Sequence, residues 1–127
     1  FVQRPDGGWG EDCSTYWQHR TWYVSEATLH RRRDEVKTST PSQTSWALLG
    51  LMAAGEANSE SVDQGIEYLM NAERDAGNWH EEYFNAVGFP RVFYLRYHGY
   101  SAYFPLWTLA RYRDLKNGGG KYPKFGI

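Results

Sequence analysis

Two similar segments of this chain restrict its fold more than any other feature. The first runs from Gln3 to Trp9 and the second from Glu73 to Trp79. Each begins with a long polar side chain, has a Gly two residues before its end and closes on Trp. Internal repeats of this kind predict an array of similar units, because one unit alone buries too little apolar surface to be stable.

The repeated segments have a mechanical explanation that needs no catalysis. The last carbonyl groups of a helix lack partners within the helix, and a nearby Gln or Glu side chain can hydrogen bond to the turn that follows. Gly permits a positive φ in that turn, and Trp can fold back and donate its indole N–H. We therefore expect Trp9 and Trp79 to tie one helix end to the next helix.

The composition excludes several classes of protein. The 127 residues make one domain at most. The net charge of −1 gives no positive electrostatic field that would attract nucleic acid. The single cysteine, Cys13, excludes an internal disulfide, and no apolar run reaches the roughly 18 residues of a membrane span. Because the chain begins with Phe1 and its first repeat lacks the preceding helix, we expect residues 1–127 to form one partial domain of a longer protein.

Helices are the main predicted elements. Residues 40–43, Thr-Pro-Ser-Gln, form a capping box with Pro at the first helical position. They predict a helix over residues 44–54 that stops at Gly55. A second helix is predicted over residues 59–74, in which Gly65 allows a close backbone approach.

The second half of the chain predicts two more helices, over residues 90–98 and 105–115. Residues 118–127 are expected to be a flexible tail, since three glycines begin it. No segment predicts a strand. The expected fold class is all-α, with helices joined by turns.

Aromatic residues make up 17% of the chain, and many lie between positions 89 and 103. Phe89, Phe93 and Tyr97 are four residues apart, which places them on one face of the helix predicted over 90–98. Tyr100 follows at its end. The simpler interpretation is a core stripe. The alternative is a wall for a cationic intermediate, because a ring face attracts a cation by roughly 0.5–2 kcal/mol without attacking it.

Several motifs occur in order along the chain: residues 6–13 (DGGWGEDC), 39–48 (STPSQTSWAL), 88–90 (GFP) with 93–97 (FYLRY), and 104–105 (FP). Their order and spacing resemble the C-terminal end of squalene–hopene cyclases. The two Gly–Trp segments resemble the QW repeats of that family, with Glu73 where the family prefers Gln.

The resemblance implies a fragment of an α/α toroid, the α/α6 barrel, built from helix–turn repeats. It implies a class II triterpene cyclase that cyclises squalene through carbocations, with neither cofactor nor metal. In the family, the phenylalanines that match Phe93 and Phe89 stabilise cations in the later ring-forming steps. The tyrosines that match Tyr97 and Tyr100 help to position the cavity wall. These four are the candidate catalytic residues.

The resemblance also implies partners and a location. The expected partners are a squalene-like polyene and the missing N-terminal part of the same enzyme. Nucleic acid is not expected as a partner, and whether the enzyme forms a homodimer is left open. Family members attach to one face of a membrane, which predicts peripheral attachment at the cytoplasmic face for the parent enzyme and no membrane span in this chain.

Two departures from the family limit what this chain can do. It lacks the Asp-x-Asp-Asp motif that carries the family's proton donor, so we expect it to be inactive alone. Residues 16–37 match the family poorly, which leaves the identity of the product open.

Other functions are weighed against the cyclase. A non-catalytic helical scaffold or binding module would keep the repeats, and a sugar-acting α/α toroid would use paired acids. Residues 11–12 and 81–82 are such pairs, but adjacent residues point apart, so solvated turn acids are the better interpretation. A metal site of Glu11, Cys13 and His80, as in related prenyltransferase toroids, is disfavoured because that family's motif is not reproduced.

Overall fold

The computed structural model describes residues 2–10, 39–81, 84, 87–89 and 93–120. Within these ranges the elements follow in this order: α1 Pro41–Ala53, α2 Glu60–Asn71, β1 Arg74–Asp75, β2 Asn78–Trp79, β3 Val87–Phe89, β4 Phe93–Leu95 and α3 Tyr100–Lys116. The described residues are therefore mainly helical, as the sequence predicts. The strands form two small antiparallel hairpins, β1–β2 and β3–β4.

Helix α1 begins where the capping box predicts. The Thr40 hydroxyl accepts a hydrogen bond from the Gln43 N–H at 3.4 Å. The N–H of Thr40 itself donates to the Trp9 carbonyl at 3.0 Å, so the first Gly–Trp segment is joined directly to the start of α1. The helix ends at Ala53, one residue before the predicted Ala54, and Gly55 follows with a φ of +93° that suits glycine.

Helix α2 crosses the core through the predicted close approach at Gly65. A Cβ at this position would lie 2.7 Å from Leu48 Cδ2 and 2.9 Å from the Trp9 ring. The helix begins after the N-cap Ser59 and ends at Asn71, short of the predicted residue 74. It ends early because the chain turns into the β1–β2 hairpin at that point.

Each Gly–Trp segment shows a different part of the predicted mechanical role. Gln3 Nε2 donates to the Gly7 carbonyl at 2.8 Å and to the Ser61 carbonyl of α2 at 2.9 Å. In the second segment, the indole N–H of Trp79 donates to the Leu69 carbonyl at 2.8 Å. The second segment therefore ties the last turn of α2 to the chain that follows it.

The core lies where α1 packs against both α2 and α3. Its buried hydrophobic residues are Trp9, Leu48, Leu49, Met52, Ala57, Val62, Ile66 and Leu69. Helix α3 contributes partly buried rings and leucines, and its fully buried Thr108 hydroxyl donates to the Ser45 carbonyl at 3.3 Å. These contacts hold α1 between its two neighbours.

The helix predicted over residues 90–98 is wrong. Positions 87–89 and 93–95 instead form the β3–β4 hairpin, in which Phe89 pairs with Phe93. A spacing of four residues does not distinguish a helix from a hairpin, because a hairpin with a three-residue loop also brings positions i and i+4 opposite each other. Pro90 is compatible with the first position of a helix and so does not decide between the two structures, whereas the aromatic residues of β4 favour a strand.

Helix α3 begins at Tyr100, before the predicted residue 105. At its other end, Gly118 donates to the Leu115 carbonyl at 3.2 Å, and Gly119 and Gly120 donate to the Asp114 carbonyl at 3.0 and 2.9 Å. The chain is therefore hydrogen bonded through residue 120. The rest of the predicted tail, 121–127, lies outside the described residues.

Candidate functional site

The predicted site residues belong to one continuous hairpin–helix segment rather than to one helix face. Phe89 and Phe93 lie directly opposite each other in the β3–β4 ladder. Tyr97 follows β4, and Tyr100 opens α3. The rings of Tyr97 and Tyr100 stack, with centroids 5.1 Å apart and planes inclined by 19°.

Tyr100 lies at the centre of a larger ring cluster. Its ring makes T-shaped contacts with Trp46 and Phe104, with centroids 5.6 and 5.2 Å away. Phe104 also stacks on Trp107 at 6.2 Å. The spacing of four between Tyr100 and Phe104 could have revealed their contact, but the contribution of Trp46 depends on how α1 packs against α3.

Glu81 corrects a second expectation, because it is not a solvated turn acid. The residue is only 7% exposed. Its carboxylate accepts hydrogen bonds from the backbone N–H of Ser42 at 3.1 Å and from the Ser42 hydroxyl at 2.6 Å. The carboxylate thus binds the first turn of α1, where backbone N–H groups lack partners within the helix.

The electrostatics of Glu81 reflect opposing influences. Burial raises the pKa of its carboxyl above the ordinary value, while the Ser42 hydrogen bonds and the charge of Arg96 act to lower that pKa. The Arg96 guanidinium also donates to the main-chain carbonyl of Glu81 and lies over the Phe84 ring at 4.9 Å. Arg96 therefore joins the end of β4 to the segment after β2.

A small cleft lies between this carboxylate and the tyrosine pair. Glu81, Ser42, Tyr97 and Tyr100 all line it, and its volume is about 10 Å³. A cavity of roughly this size holds a single water molecule. The Tyr97 ring is 49% exposed, so the described residues form one side of an open aromatic surface.

Ring faces arranged in this way can interact with positive charge on carbon. Each face carries negative quadrupole potential and contains no lone pair that would attack the cation readily. Among the described residues, no group of His, Cys, Asp and Glu is arranged to hold a metal ion, and Glu11 and Cys13 of the disfavoured metal site lie outside them. None of the described helices is long and apolar enough to cross a membrane.

The comparisons with known proteins agree with the sequence motifs. A family model described as the squalene-hopene cyclase C-terminal domain matches residues 1–114. The chain belongs to this family. The membership confirms the predicted class, a helical fragment of an α/α barrel.

Individual relatives extend the similarity over nearly the whole chain. It is 52% identical to the squalene–hopene cyclase of Zymomonas mobilis over 126 residues, which cover 99% of this chain and 18% of that protein. It is 46% identical to the dammaradiene synthase of Dryopteris crassirhizoma, covering 85% of this chain and 15% of that protein. It is 34% identical to the lanosterol synthase of Mus musculus, and that alignment covers 89% of this chain and 14% of that protein.

The extent of the alignment with the Zymomonas mobilis relative concerns two expectations, the atypical segment and the partial length of this chain. The alignment with the Zymomonas mobilis protein spans 126 of the 127 residues, so it includes the segment 16–37 that the sequence singled out as atypical. The chain also spans less than a fifth of the length of that relative.

Proposed function

We propose that this chain is the C-terminal part of a class II triterpene cyclase and forms one wall of its cavity. Membership in the squalene–hopene cyclase family over residues 1–114 is the observation that carries the proposal. The substrate we propose is squalene or a similar apolar polyene, because the relative from Zymomonas mobilis bears the name squalene–hopene cyclase.

The wall is built from the candidate residues Phe93, Phe89, Tyr97 and Tyr100. The stacking of Tyr97 on Tyr100 and the edge contacts of Tyr100 with Trp46 and Phe104 support this role. Rings held by such contacts are preorganised, so they do not have to move as the cation forms.

The acid that starts the reaction must come from another part of the protein. No Asp-x-Asp-Asp sequence occurs in this chain, so the proposed division of labour gives the proton donor to the N-terminal part. This chain alone then has no cyclase activity. Product identity follows from how long the wall protects each cation from water and bases.

We also propose that the parent enzyme attaches to the cytoplasmic face of a membrane without crossing it. An apolar substrate is most concentrated in lipid, and the resemblance favours this location. Flotation of the complete protein with liposomes tests it, and recovery of all the protein in the lipid-free fraction contradicts it.

Light scattering in detergent decides between a monomer and the homodimer that the resemblance leaves open.

The proposed function is tested with the complete protein and squalene. Gas chromatography with mass spectrometry should detect polycyclic triterpenes, and the segment alone, assayed beside it, should form none. If the complete protein leaves squalene unchanged, the cyclase proposal fails. Binding of an oligosaccharide would then favour the sugar-acting toroid, and binding of neither ligand would favour the scaffold.

A further inference from the structure

We propose that Glu81 is a positioning residue that fixes where Tyr97 and Tyr100 stand in the aromatic wall. It acts through the first turn of α1 and through Arg96 and does not itself touch the substrate. This role rests on the proposed function, because it concerns the geometry of the wall that the cyclase uses.

The first connection runs through α1. Glu81 binds both the backbone and the hydroxyl of Ser42, which is 1% exposed. Trp46 follows Ser42 by one helical turn and therefore lies on the same side of α1. Since the Trp46 and Tyr100 rings pack in a T-shaped contact with centroids 5.6 Å apart, the position of the α1 start determines the position of that tyrosine.

The second connection runs through the end of the β3–β4 hairpin. Arg96 donates to the main-chain carbonyl of Glu81 and immediately precedes Tyr97. Its contact with the Phe84 ring at 4.9 Å holds the guanidinium from a second direction. The segment around Glu81 therefore holds Tyr97 from one side while α1 holds Tyr100 from the other.

The cleft shows that the two connections meet. Glu81, Ser42, Arg96 and both tyrosines line the same small space, so a shift of the carboxylate changes the packing beside both rings. A buried carboxylate is costly unless hydrogen bonds satisfy it. The two hydrogen bonds from Ser42 supply that stabilisation, and a helix N-terminus favours a negative charge.

The test substitutes Glu81→Gln in the complete protein. The amide keeps the size of the side chain but removes its charge. If its oxygen accepts from the Ser42 N–H, its N–H group faces the Ser42 hydroxyl, which must then accept instead of donating, so the charge-assisted bond at that position is replaced by a weaker neutral one. The matched control is Glu56→Gln, which removes an exposed carboxylate. The readout is the share of incompletely cyclised products, measured well below each melting temperature.

We expect Glu81→Gln to raise that share about threefold or more, because small misplacements of preorganised groups have large effects on rate. The control should leave the share unchanged. Ser42→Ala, which removes only the 2.6 Å hydroxyl bond, should change it in the same direction by less. It also decides the question if Glu81→Gln does not fold.

Two results overturn the proposal in distinguishable ways. If the unsubstituted protein cyclises squalene and the variants only lower the melting temperature, with an unchanged product distribution, Glu81 is merely structural. If the unsubstituted protein forms no cyclic product, the proposed function fails and the positioning role fails with it.

Discussion

Gly65 lets α2 approach α1 and Trp9 more closely than a residue with a side chain could. A Cβ at Gly65 would come within 3 Å of Leu48 Cδ2 and the Trp9 ring. Leu48 is fully buried and an indole ring is rigid, so neither neighbour can move easily. At the residue scale, this one position sets the distance between two core helices.

Gly65→Ala should destabilise the protein by about 1–3 kcal/mol, since overpacking outweighs the gain of about 1 kcal/mol in helix propensity. Gly50→Ala is the matched control. Gly50 lies within α1 with nothing within 4 Å of its missing Cβ, so that variant should keep or raise the melting temperature. Equal melting temperatures for the two variants would contradict the close approach.

Glu81 should make stability depend on pH in an uncommon direction for a carboxylate. Burial raises its pKa in the folded protein above the ordinary 4.5, so the folded state binds this proton more tightly than the unfolded state. The stability from this group is present below about pH 4.5 and is lost as pH rises through the raised pKa.

Melting curves of the parent and Glu81→Gln between about pH 4.5 and 7 test this linkage. As pH rises through that window, the parent should lose stability relative to the variant, which has no proton to release. Parallel curves would show that the carboxyl titrates at its ordinary value.

At the scale of elements, the second Gly–Trp segment closes the end of α2. The Trp79 ring is buried, its indole N–H binds the Leu69 carbonyl, and the Arg74 guanidinium lies over the ring at 4.0 Å. The segment therefore uses one residue both for packing and for satisfying a carbonyl in the last turn of the helix.

Trp79→Phe should destabilise the complete protein by about 1–3 kcal/mol, because it leaves the Leu69 carbonyl unpaired and removes part of a buried ring. Trp107→Phe gives the comparison, since that ring is 45% exposed and should matter less. The measurement is the apparent melting temperature at one scan rate. A larger decrease in melting temperature for Trp107→Phe than for Trp79→Phe would refute the role of Trp79 in closing the end of α2.

The same scale shows which elements the sequence could predict. Helices α1 and α2 were predictable because their caps and glycines act locally. The β3–β4 hairpin was not, because a four-residue aromatic spacing fits a helix face and a hairpin equally well. The burial of Glu81 was beyond prediction for a different reason: its partner Ser42 is distant in sequence, and no local pattern selects this acid over the others.

At the scale of the whole molecule, the described chain leaves apolar side chains uncovered on β4, α3 and the loop between them. The exposed ones are Leu95, Tyr97, Tyr103, Leu106 and Trp107. The spacing of Tyr103, Leu106 and Trp107 places them on one face of α3, and an exposed apolar face is typical of a surface that another part of a protein or a ligand covers. This agrees with a chain that spans less than a fifth of its Zymomonas mobilis relative.

The 127-residue chain alone should therefore self-associate. Light scattering at rising protein concentration would detect this. Leu106→Glu places a charge at a 64% exposed position of this surface and should reduce the association. Val2→Glu, at an 87% exposed position elsewhere, should not. A segment that stays monomeric, or equal effects of the two substitutions, would contradict the interpretation.

The product distribution of Phe93→Ala in the complete protein, incubated with squalene, tests the central claim most directly. Loss of about 1–2 kcal/mol of cation stabilisation should slow the late steps roughly tenfold. Products of incomplete ring closure should then increase, while Met70→Ala, which truncates a 59% exposed side chain on α2, should leave the distribution unchanged. The same products in the same proportions from Phe93→Ala and the parent would contradict the aromatic wall.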